Sequence, residues 1–188
     1  MIKLSKWEKK TGIDFLRKIG IKEDYKVLDF GCNNGNYTIP ISILIGKTGT
    51  VFAIDENISA LSELQKKSKL IQTNNIEIIN TKGDLKLDFS NNFIDFVMLY
   101  DILHYLDYQQ RKILYKEIFR ILKDNSILSV HAKHTIGNFA LMELRNVTKE
   151  ELINEIENAG FEFQQEICSE LTHDGHLENG CIINFIKR

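Results

Sequence analysis

Short apolar runs and helix-spaced apolar residues alternate along most of this chain. Runs rich in β-branched and aromatic residues are typical of buried strands. They lie at residues 26–30, 50–54, 76–79, 93–99 and 126–130. Apolar residues at helical spacing predict helices at residues 5–19, 36–45, 58–70 and 108–122. Such alternation is typical of a mostly parallel sheet with helices on both faces, so we predict an α/β fold.

The last part of the chain predicts one more helix and a closing pair of strands. Thr148 and Glu151 have the spacing of a capping box, in which two side chains satisfy each other's free backbone donors. The helix would end near Gly160, because glycine is common just after a helix. Residues 161–167 and 181–186 then predict an antiparallel pair of strands.

Composition and charge favour one ordinary globular domain. The chain has 188 residues, of which 43% are hydrophobic and 27% charged, and its net charge is −2. A nucleic-acid surface normally carries a basic excess, so no nucleic-acid partner is expected. No apolar run reaches the ~18 residues of a membrane span. We predict a single domain over residues 1–188, with residues 1–20 as an N-terminal helix packed on the core.

The cysteines bear on the compartment of the protein. Cys32, Cys168 and Cys181 are an odd number and lie far apart in the sequence, which indicates neither a disulfide framework nor a zinc motif. We therefore expect reduced thiols in a cytoplasmic protein.

The stretch after the first strand has the chemistry of a ligand site. Gly31 and Gly35 bracket a turn, and glycine there permits positive φ and close approach of a ligand. The helix that follows adds a partial positive charge. Asp55 ends the second strand at a spacing suited to binding both ribose hydroxyls of a nucleoside, and Asp84 follows the third strand. The alternatives are that Asp55 caps a helix and that Asp84 is a turn residue.

The turn departs from two well-known phosphate-binding patterns. It reads Gly31-Cys-Asn-Asn-Gly35, with Asn33 where a dinucleotide motif has a second glycine. Asparagine tolerates left-handed backbone geometry, so the turn is retained. No Gly-Lys-Ser/Thr follows, which excludes a Walker phosphate loop.

Together these motifs resemble those of class I S-adenosylmethionine-dependent methyltransferases. Val27-Leu-Asp-Phe-Gly-Cys-Asn-Asn-Gly35 is similar to the first motif of that family, and Val51-Phe-Ala-Ile-Asp55 to its acidic second motif. Gly83-Asp84 and residues 92–106 resemble later motifs of the small-molecule branch, which includes ubiquinone and menaquinone C-methyltransferases. The resemblance covers about residues 20–131 and implies a Rossmann-like, mostly parallel sheet of seven strands with an antiparallel last strand.

The resemblance also implies S-adenosylmethionine as the cofactor and a small molecule as the methyl acceptor. Asp55 would hold the ribose, and Tyr100 would close the methionine end. Glu56, Asp84 and Leu85 would meet the adenine. The complete set of implied cofactor-binding residues is Asp29, Gly31, Cys32, Asn33, Gly35, Asp55, Glu56, Asp84, Leu85 and Tyr100.

Histidines supply candidate bases for the transfer. A base is needed only where the acceptor loses a proton as it attacks, and histidine is a base near neutral pH. The predicted substrate-facing residues are His104, His131 and His134, of which His104 or His131 is expected to face the acceptor. We predict no metal. An alternative is a metal site assembled from separate loops, although its spacing matches no known zinc motif. That site would consist of His131, His134, His173, Asp174 and His176.

The same motifs are compatible with other functions. The same turn and carboxylate would serve a non-catalytic module that binds S-adenosylmethionine or S-adenosylhomocysteine. A methyltransferase acting on protein or RNA is a variant of the first prediction. The missing Gly-x-Gly-x-x-Gly pattern speaks against a nicotinamide-dependent oxidoreductase.

Overall fold

The computed structural model describes residues 3–173 and 175–188, whose strands form one seven-stranded sheet. The strands are β1 (Lys26–Phe30), β2 (Thr50–Asp55), β3 (Ile76–Asn80), β4 (Ile94–Leu99), β5 (Leu122–His131), β6 (Phe161–His173) and β7 (His176–Lys187). Their order is β3-β2-β1-β4-β5-β7-β6. β2 runs parallel to both β1 and β3, β4 is parallel to β5, and β7 is antiparallel to β5. The predicted Rossmann-like sheet with an antiparallel last strand is confirmed.

The helices lie close to their predicted positions. They are α1 (Gly12–Lys18), α2 (Thr38–Ile45), α3 (Ile58–Leu70), α4 (Tyr108–Ile121) and α5 (Lys149–Glu157). A π-helical turn over Trp7–Thr11 precedes α1, and 3-10 turns lie at Leu103–Tyr105 and Met142–Leu144. Within the described residues, every helix is too short or too polar to cross a bilayer.

Three strands differ from the prediction, whereas the chain between β3 and β4 forms a loop, where no helix was predicted. This loop is braced from α4, because Arg120 donates to the carbonyl oxygens of Leu87 and Phe89 at 3.0 and 2.7 Å. β5 begins at Leu122, where its pairing with β4 contains an irregularity in register. β6 and β7 are about twice as long as predicted, since polar exposed positions interrupt their apolar pattern.

The chain divides into two compact units. The first contains the residues up to Gly83 together with Glu170–Glu178, and so holds β1, β2 and β3. A cluster of buried side chains packs at its centre and brings α2 and α3 together with β2. Its members are Cys32, Ile39, Ala53, Leu61 and Leu64.

The N-terminal helical segment packs on the start of α2 within this first unit. The ring of Trp7 contacts those of Phe15 and Tyr37, with centroids 5.7 and 5.6 Å apart. The indole Nε1 of Trp7 also donates to the carbonyl oxygen of Asn36 at 3.0 Å. The Tyr37 hydroxyl donates to the carbonyl oxygen of Thr172 at 3.1 Å. The backbone just after the glycine turn is therefore held from two directions.

The second unit contains Asp84–Ser169 and Asn179–Arg188, and so holds α4, α5, β4 and β5. The predicted capping box at the start of α5 is confirmed, with Thr148 and Glu151 each accepting from the backbone of the other. A second capping box begins α4, formed by Asp107 and Gln110. Both helices therefore begin at a defined residue.

The cysteines of the second unit correct one expectation. Cys168 and Cys181 form a disulfide between β6 and β7, so the prediction of three reduced thiols is wrong for this pair. The two cysteines are 13 residues apart in the sequence, and this spacing does not by itself indicate a disulfide. Neighbouring strands nevertheless place the two Cα atoms 4.0 Å apart. Cys32 is a free, buried cysteine.

Candidate active site

The glycine turn lies in the first unit at the carboxyl end of β1. Gly31 and Gly35 have φ of 85° and 86°, a region that favours glycine. The backbone N–H groups of Gly31 and Cys32 both donate to the carbonyl oxygen of Ile54, at 2.8 and 2.9 Å. The turn is thus tied to the end of β2, where Asp55 follows.

Glycine is required at position 35 by the packing around it as well as by its backbone conformation. A Cβ built at Gly35 would lie 2.4 Å from Cδ1 of Leu64, and Leu64 is fully buried in α3. The sequence suggested that a ligand needs this space. In the structure the neighbour that fills it is a core side chain.

Asp55 contacts the turn directly, as its spacing predicted. Its Oδ2 accepts a hydrogen bond from the backbone N–H of Asn33 at 2.8 Å. Its Oδ1 accepts from the N–H of Asn57 at 2.8 Å. The helix cap is Asn57 rather than Asp55, because the Asn57 side chain accepts from the N–H groups of Ser59 and Ala60. Asp55 itself is half-buried, and each carboxylate oxygen has more than one lone pair for a further donor.

Asn33 has the backbone geometry that the sequence required. Its φ is 46°, a left-handed conformation that asparagine adopts more readily than most residues. This conformation points the Asn33 N–H at Asp55. The substitution of asparagine for the usual small residue therefore keeps the turn.

Asp29 is a buried acid beneath the turn. Its Oδ2 accepts a hydrogen bond from the Thr38 hydroxyl at 2.6 Å. Burial raises the pKa of Asp29 from its ordinary value of 3.8 to about 6, against the opposing effect of the Thr38 hydrogen bond and with a further increase from Asp55. Burial, followed by the charges of Asp29 and Asp55, also raises the pKa of the Cys32 thiol well above its usual range. Cys32 is therefore a neutral packing residue at the turn.

Replacing Asp29 by asparagine is expected to raise the stability of the protein at neutral pH. Because the folded-state pKa lies above the unfolded one, the stability linked to the Asp29 proton is present below pH 3.8 and is lost as the pH rises to about 6. Above that window, the charged Asp29 carboxylate lowers the free energy of unfolding by about 3 kcal/mol relative to the neutral form. The amide that replaces the carboxyl group would keep an oxygen for Thr38 and carry no charge. Urea unfolding at pH 4 and pH 7 should show an advantage of Asp29→Asn that grows with pH.

The exposed carboxylate of Glu77, in the same unit, provides a control for this experiment. Glu77→Gln removes a charge without removing a buried one. An equal effect of Asp29→Asn on the free energy of unfolding at both pH values would contradict the prediction.

Of the predicted adenine-contacting residues, Glu56 belongs to the first unit, and Asp84 and Leu85 belong to the second. In the first unit, Asn80 donates to the carbonyl oxygen of Glu56 at 3.0 Å. A Cβ at Gly83 would stand 3.3 Å from Glu56 Oε2. In the second unit, Asp84 is exposed and Leu85 is half-buried. Their contacts with a nucleoside stay a prediction.

Tyr100 is buried at the end of β4 in the second unit. Its hydroxyl lies 2.8 Å from the Oγ of Ser129 in β5, within hydrogen-bonding distance. Its ring presents an edge to His131, with centroids 6.1 Å apart. The predicted role of Tyr100 at the methionine end stays a prediction.

The three predicted substrate-facing histidines all lie in the second unit and are buried. His104 and His134 pack on each other with ring centroids 4.3 Å apart, and His134 Nδ1 lies 3.0 Å from the carbonyl oxygen of Phe139. His131 Nδ1 lies 3.0 Å from Oδ1 of Asp101. Asp101 lies within residues 92–106, the segment that resembles a family motif, but was not among the predicted site residues.

The proposed histidine metal site falls partly outside the described residues, because Asp174 lies outside them. Among the residues that the structure describes, one cluster of three groups could hold a metal ion. It consists of Glu166, Cys168 and Cys181, and its two cysteines are bonded to each other. The histidines are not members of that cluster.

Solved structures share this fold. An S-adenosylmethionine-dependent methyltransferase from Aquifex aeolicus superposes with a TM-score of 0.74 at 22% identity, over 98% of this chain and 94% of that chain. A magnesium protoporphyrin IX methyltransferase from Synechocystis PCC 6803, with bound S-adenosylhomocysteine, superposes with a TM-score of 0.68 at 16% identity, over 95% and 80% of the two chains. The fold is that of the S-adenosylmethionine-dependent methyltransferases.

Sequence comparison then gives the family. The family model described as a methyltransferase domain matches residues 27–125, and this chain belongs to that family. Curated relatives include demethylmenaquinone methyltransferases from Oceanobacillus iheyensis, 25% identical over 118 residues, and from Staphylococcus aureus strain MRSA252, 29% identical over 124 residues. The matches cover 62% and 65% of this chain, but only 46% and 47% of those relatives.

The family assignment confirms the class and the cofactor predicted from the motifs, an S-adenosylmethionine-dependent methyltransferase. The curated relatives confirm the predicted resemblance to menaquinone methyltransferases, since they are named demethylmenaquinone methyltransferases. The nicotinamide-dependent oxidoreductase is correspondingly disfavoured.

Proposed function

We propose that this protein transfers the methyl group of S-adenosylmethionine to a small-molecule acceptor in the cytoplasm. The observation that carries the proposal is the contact of Asp55 with the glycine turn. A carboxylate at the end of β2 is bonded to the backbone of the turn that ends β1. This arrangement supports a nucleoside site, because the carboxylate keeps lone pairs for two ribose hydroxyls.

The residues present fit the cofactor. When bound, S-adenosylmethionine supplies an electrophilic methyl group on a sulfonium. Asp55 would accept from the ribose, with Glu56 beside the adenine. Asp29 and the turn would lie at the methionine half, where a buried acid favours a cation. For Asp84, Leu85 and Tyr100, which belong to the second unit, cofactor contacts stay a prediction.

A small apolar acceptor is supported by two observations. The curated relatives are named for demethylmenaquinone, which is a small molecule. The loop after β5 also exposes several large apolar side chains, and exposed apolar patches often mark ligand or partner sites. They are Ile136, Phe139, Leu141 and Met142.

Isothermal titration with S-adenosylhomocysteine tests the cofactor site. We expect wild-type protein to bind, and Asp55→Asn to bind at least ~10-fold more weakly, because each hydrogen bond to a charged group contributes about 1.5–3 kcal/mol. Glu77→Gln, which removes an exposed carboxylate from the neighbouring β3, should bind as wild type does. NAD, titrated in the same way as a comparison ligand, should not bind.

Two results would contradict the proposal. One is folded wild-type protein that does not bind S-adenosylhomocysteine. The other is an Asp55→Asn variant with unchanged affinity. Binding without transfer to any acceptor in a broad screen would instead favour the non-catalytic module.

A further inference from the structure

Three side chains with metal-binding atoms meet on β6 and β7, within the second unit. A carboxylate oxygen of Glu166 and the sulfur atoms of Cys168 and Cys181 all lie within 4.8 Å of one another. Glu166 and Cys168 are exposed and Cys181 is half-buried, so an ion from solvent reaches them without crossing the core. In the structure the two sulfur atoms are joined as a disulfide. The redox state of the two cysteines therefore decides what this cluster can bind.

The geometry of the strands explains why these groups meet. Successive side chains of a strand point to opposite faces of the sheet, so Glu166 and Cys168 share one face of β6. β7 is the neighbour of β6 in the sheet, and the disulfide shows that the Cys181 side chain reaches the same place. Because the groups come from two strands, no local motif marks them, which is why no metal was expected from the sequence.

The carboxylate of Glu166 is held in position by a neighbouring cation. The Nζ atom of Lys149 donates to Oε1 and Oε2 of Glu166, both at 3.1 Å. Lys149 is the first residue of α5, whose start is fixed by the capping box. Carboxylates that bind metals are usually hydrogen-bonded by such an outer partner, which orients them. Two thiolates, a carboxylate and a divalent ion would leave an excess negative charge, which the Lys149 ammonium group offsets.

The disulfide is accessible to reductants, because Cys168 lies at the surface. Exposed disulfides are more easily reduced than buried ones. In the cytoplasm, the location proposed above, glutathione and thioredoxin keep most thiols reduced, and the disulfides that form there are usually transient. In that compartment the pair is expected to spend time as two thiols. Thiolates are soft ligands that bind zinc well.

We propose that Glu166, Cys168 and Cys181 form a redox-gated site for a thiophilic divalent cation, with Zn²⁺ as the expected ion. Two thiolates and a carboxylate supply three of the four ligands of a tetrahedral zinc ion, and water supplies the fourth at this exposed position. Mg²⁺ and Ca²⁺ prefer oxygen ligands and should not bind. In the reduced protein the ion would link β6 to β7, as the disulfide does in the oxidised protein. The proposal goes beyond methyl transfer and takes from it only the location in the cytoplasm.

The gating step balances in atoms and electrons. A thiolate of a dithiol reductant attacks the sulfur of Cys168, the bond to Cys181 breaks, and its electron pair stays on the Cys181 sulfur, which takes a proton. The second thiol of the reductant then displaces Cys168, so the reductant leaves as a disulfide and the protein holds two thiols. Binding of Zn²⁺ releases the two thiol protons to water.

Cobalt binding by the full chain tests the site, because Co²⁺ replaces Zn²⁺ in thiolate sites and its bond to a thiolate gives a charge-transfer band in the near ultraviolet. The protein is reduced with dithiothreitol, freed of it under argon, and titrated with Co²⁺. We expect one ion per chain to develop the band, and Zn²⁺ to abolish it, whereas the disulfide form should give no band. No band in the reduced protein, an ion shared by two chains, or an equal band in the disulfide form overturns the proposal.

Variants then assign the ligands. The double variant Cys168→Ser with Cys181→Ser keeps the buried Cys32 and should lose the band. Glu166→Gln should bind Zn²⁺ at least ~10-fold more weakly, since loss of a ligand's outer partner already costs about 10–100-fold. Glu162→Gln is the matched control, because it alters an exposed carboxylate on the same strand, and should bind as wild type does. A band that persists without both cysteines, or unchanged Zn²⁺ affinity in Glu166→Gln, overturns the proposal.

Discussion

Replacing Gly35 by alanine is expected to lower the free energy of unfolding by about 2–5 kcal/mol. Alanine at a φ of 86° carries a left-handed backbone cost of about 1–2 kcal/mol. Its Cβ would also stand 2.4 Å from Leu64 Cδ1, and overpacking a full core costs typically 1–3 kcal/mol. Urea unfolding of the variant and wild type measures the difference. Affinity for S-adenosylhomocysteine should fall as well, because the strain lies in the turn proposed to receive the cofactor.

Two variants separate backbone strain from overlap. Gly137 has a φ of 84°, close to that of Gly35, and no atom within 4 Å of a built Cβ, so Gly137→Ala should show only the backbone cost. Leu64→Ala in the Gly35→Ala background makes room for the new Cβ, and the double variant should be more stable than the sum of the single effects predicts. A cost for Gly35→Ala no larger than for Gly137→Ala would contradict the overlap with Leu64.

Local rules predicted the first unit well. β1 has its predicted bounds, and α3 begins at the predicted Ile58. Asp55 contacts the glycine turn, as its position at the end of the second strand predicted. These features depend on short-range chemistry: an apolar run, a glycine at positive φ, and a carboxylate at the end of the next strand. Because parallel strands end on the same edge of a sheet, such a pattern also carries spatial information.

The second unit depends more on pairings between distant segments, and there the sequence was less informative. Nothing local marks the proximity of Cys168 and Cys181, because it arises from two neighbouring strands. The contact of Asp101 with His131 likewise depends on the register of β4 and β5. The motif resemblance included Asp101, yet its left-handed backbone and its partner became visible only in the structure.

A buried ion pair between α4 and α5 shows how one such distant contact holds the second unit together. The Nε and Nη2 atoms of Arg111 donate to the two carboxylate oxygens of Glu155, each at 2.8 Å, and its Nη1 donates to the carbonyl oxygen of Leu106 at 2.8 Å. The Arg111 side chain is only 2% exposed. Removing the carboxylate would leave a guanidinium charge in the interior without its partner.

Glu155→Gln is accordingly expected to lower the free energy of unfolding by about 3–5 kcal/mol, because breaking a buried pair from one side leaves an uncompensated charge. Urea unfolding measures the effect. Glu162→Gln is the matched control, since Glu162 pairs with Arg188 at the surface, with side chains 57% and 60% exposed, and such pairs contribute about 0–1 kcal/mol. Replacing both partners, as Arg111→Met with Glu155→Leu, should restore most of the lost stability, because an apolar pair of similar volume carries no charge to desolvate. If Glu155→Gln were no more destabilising than Glu162→Gln, the bidentate pair would not be the contact that joins α4 to α5.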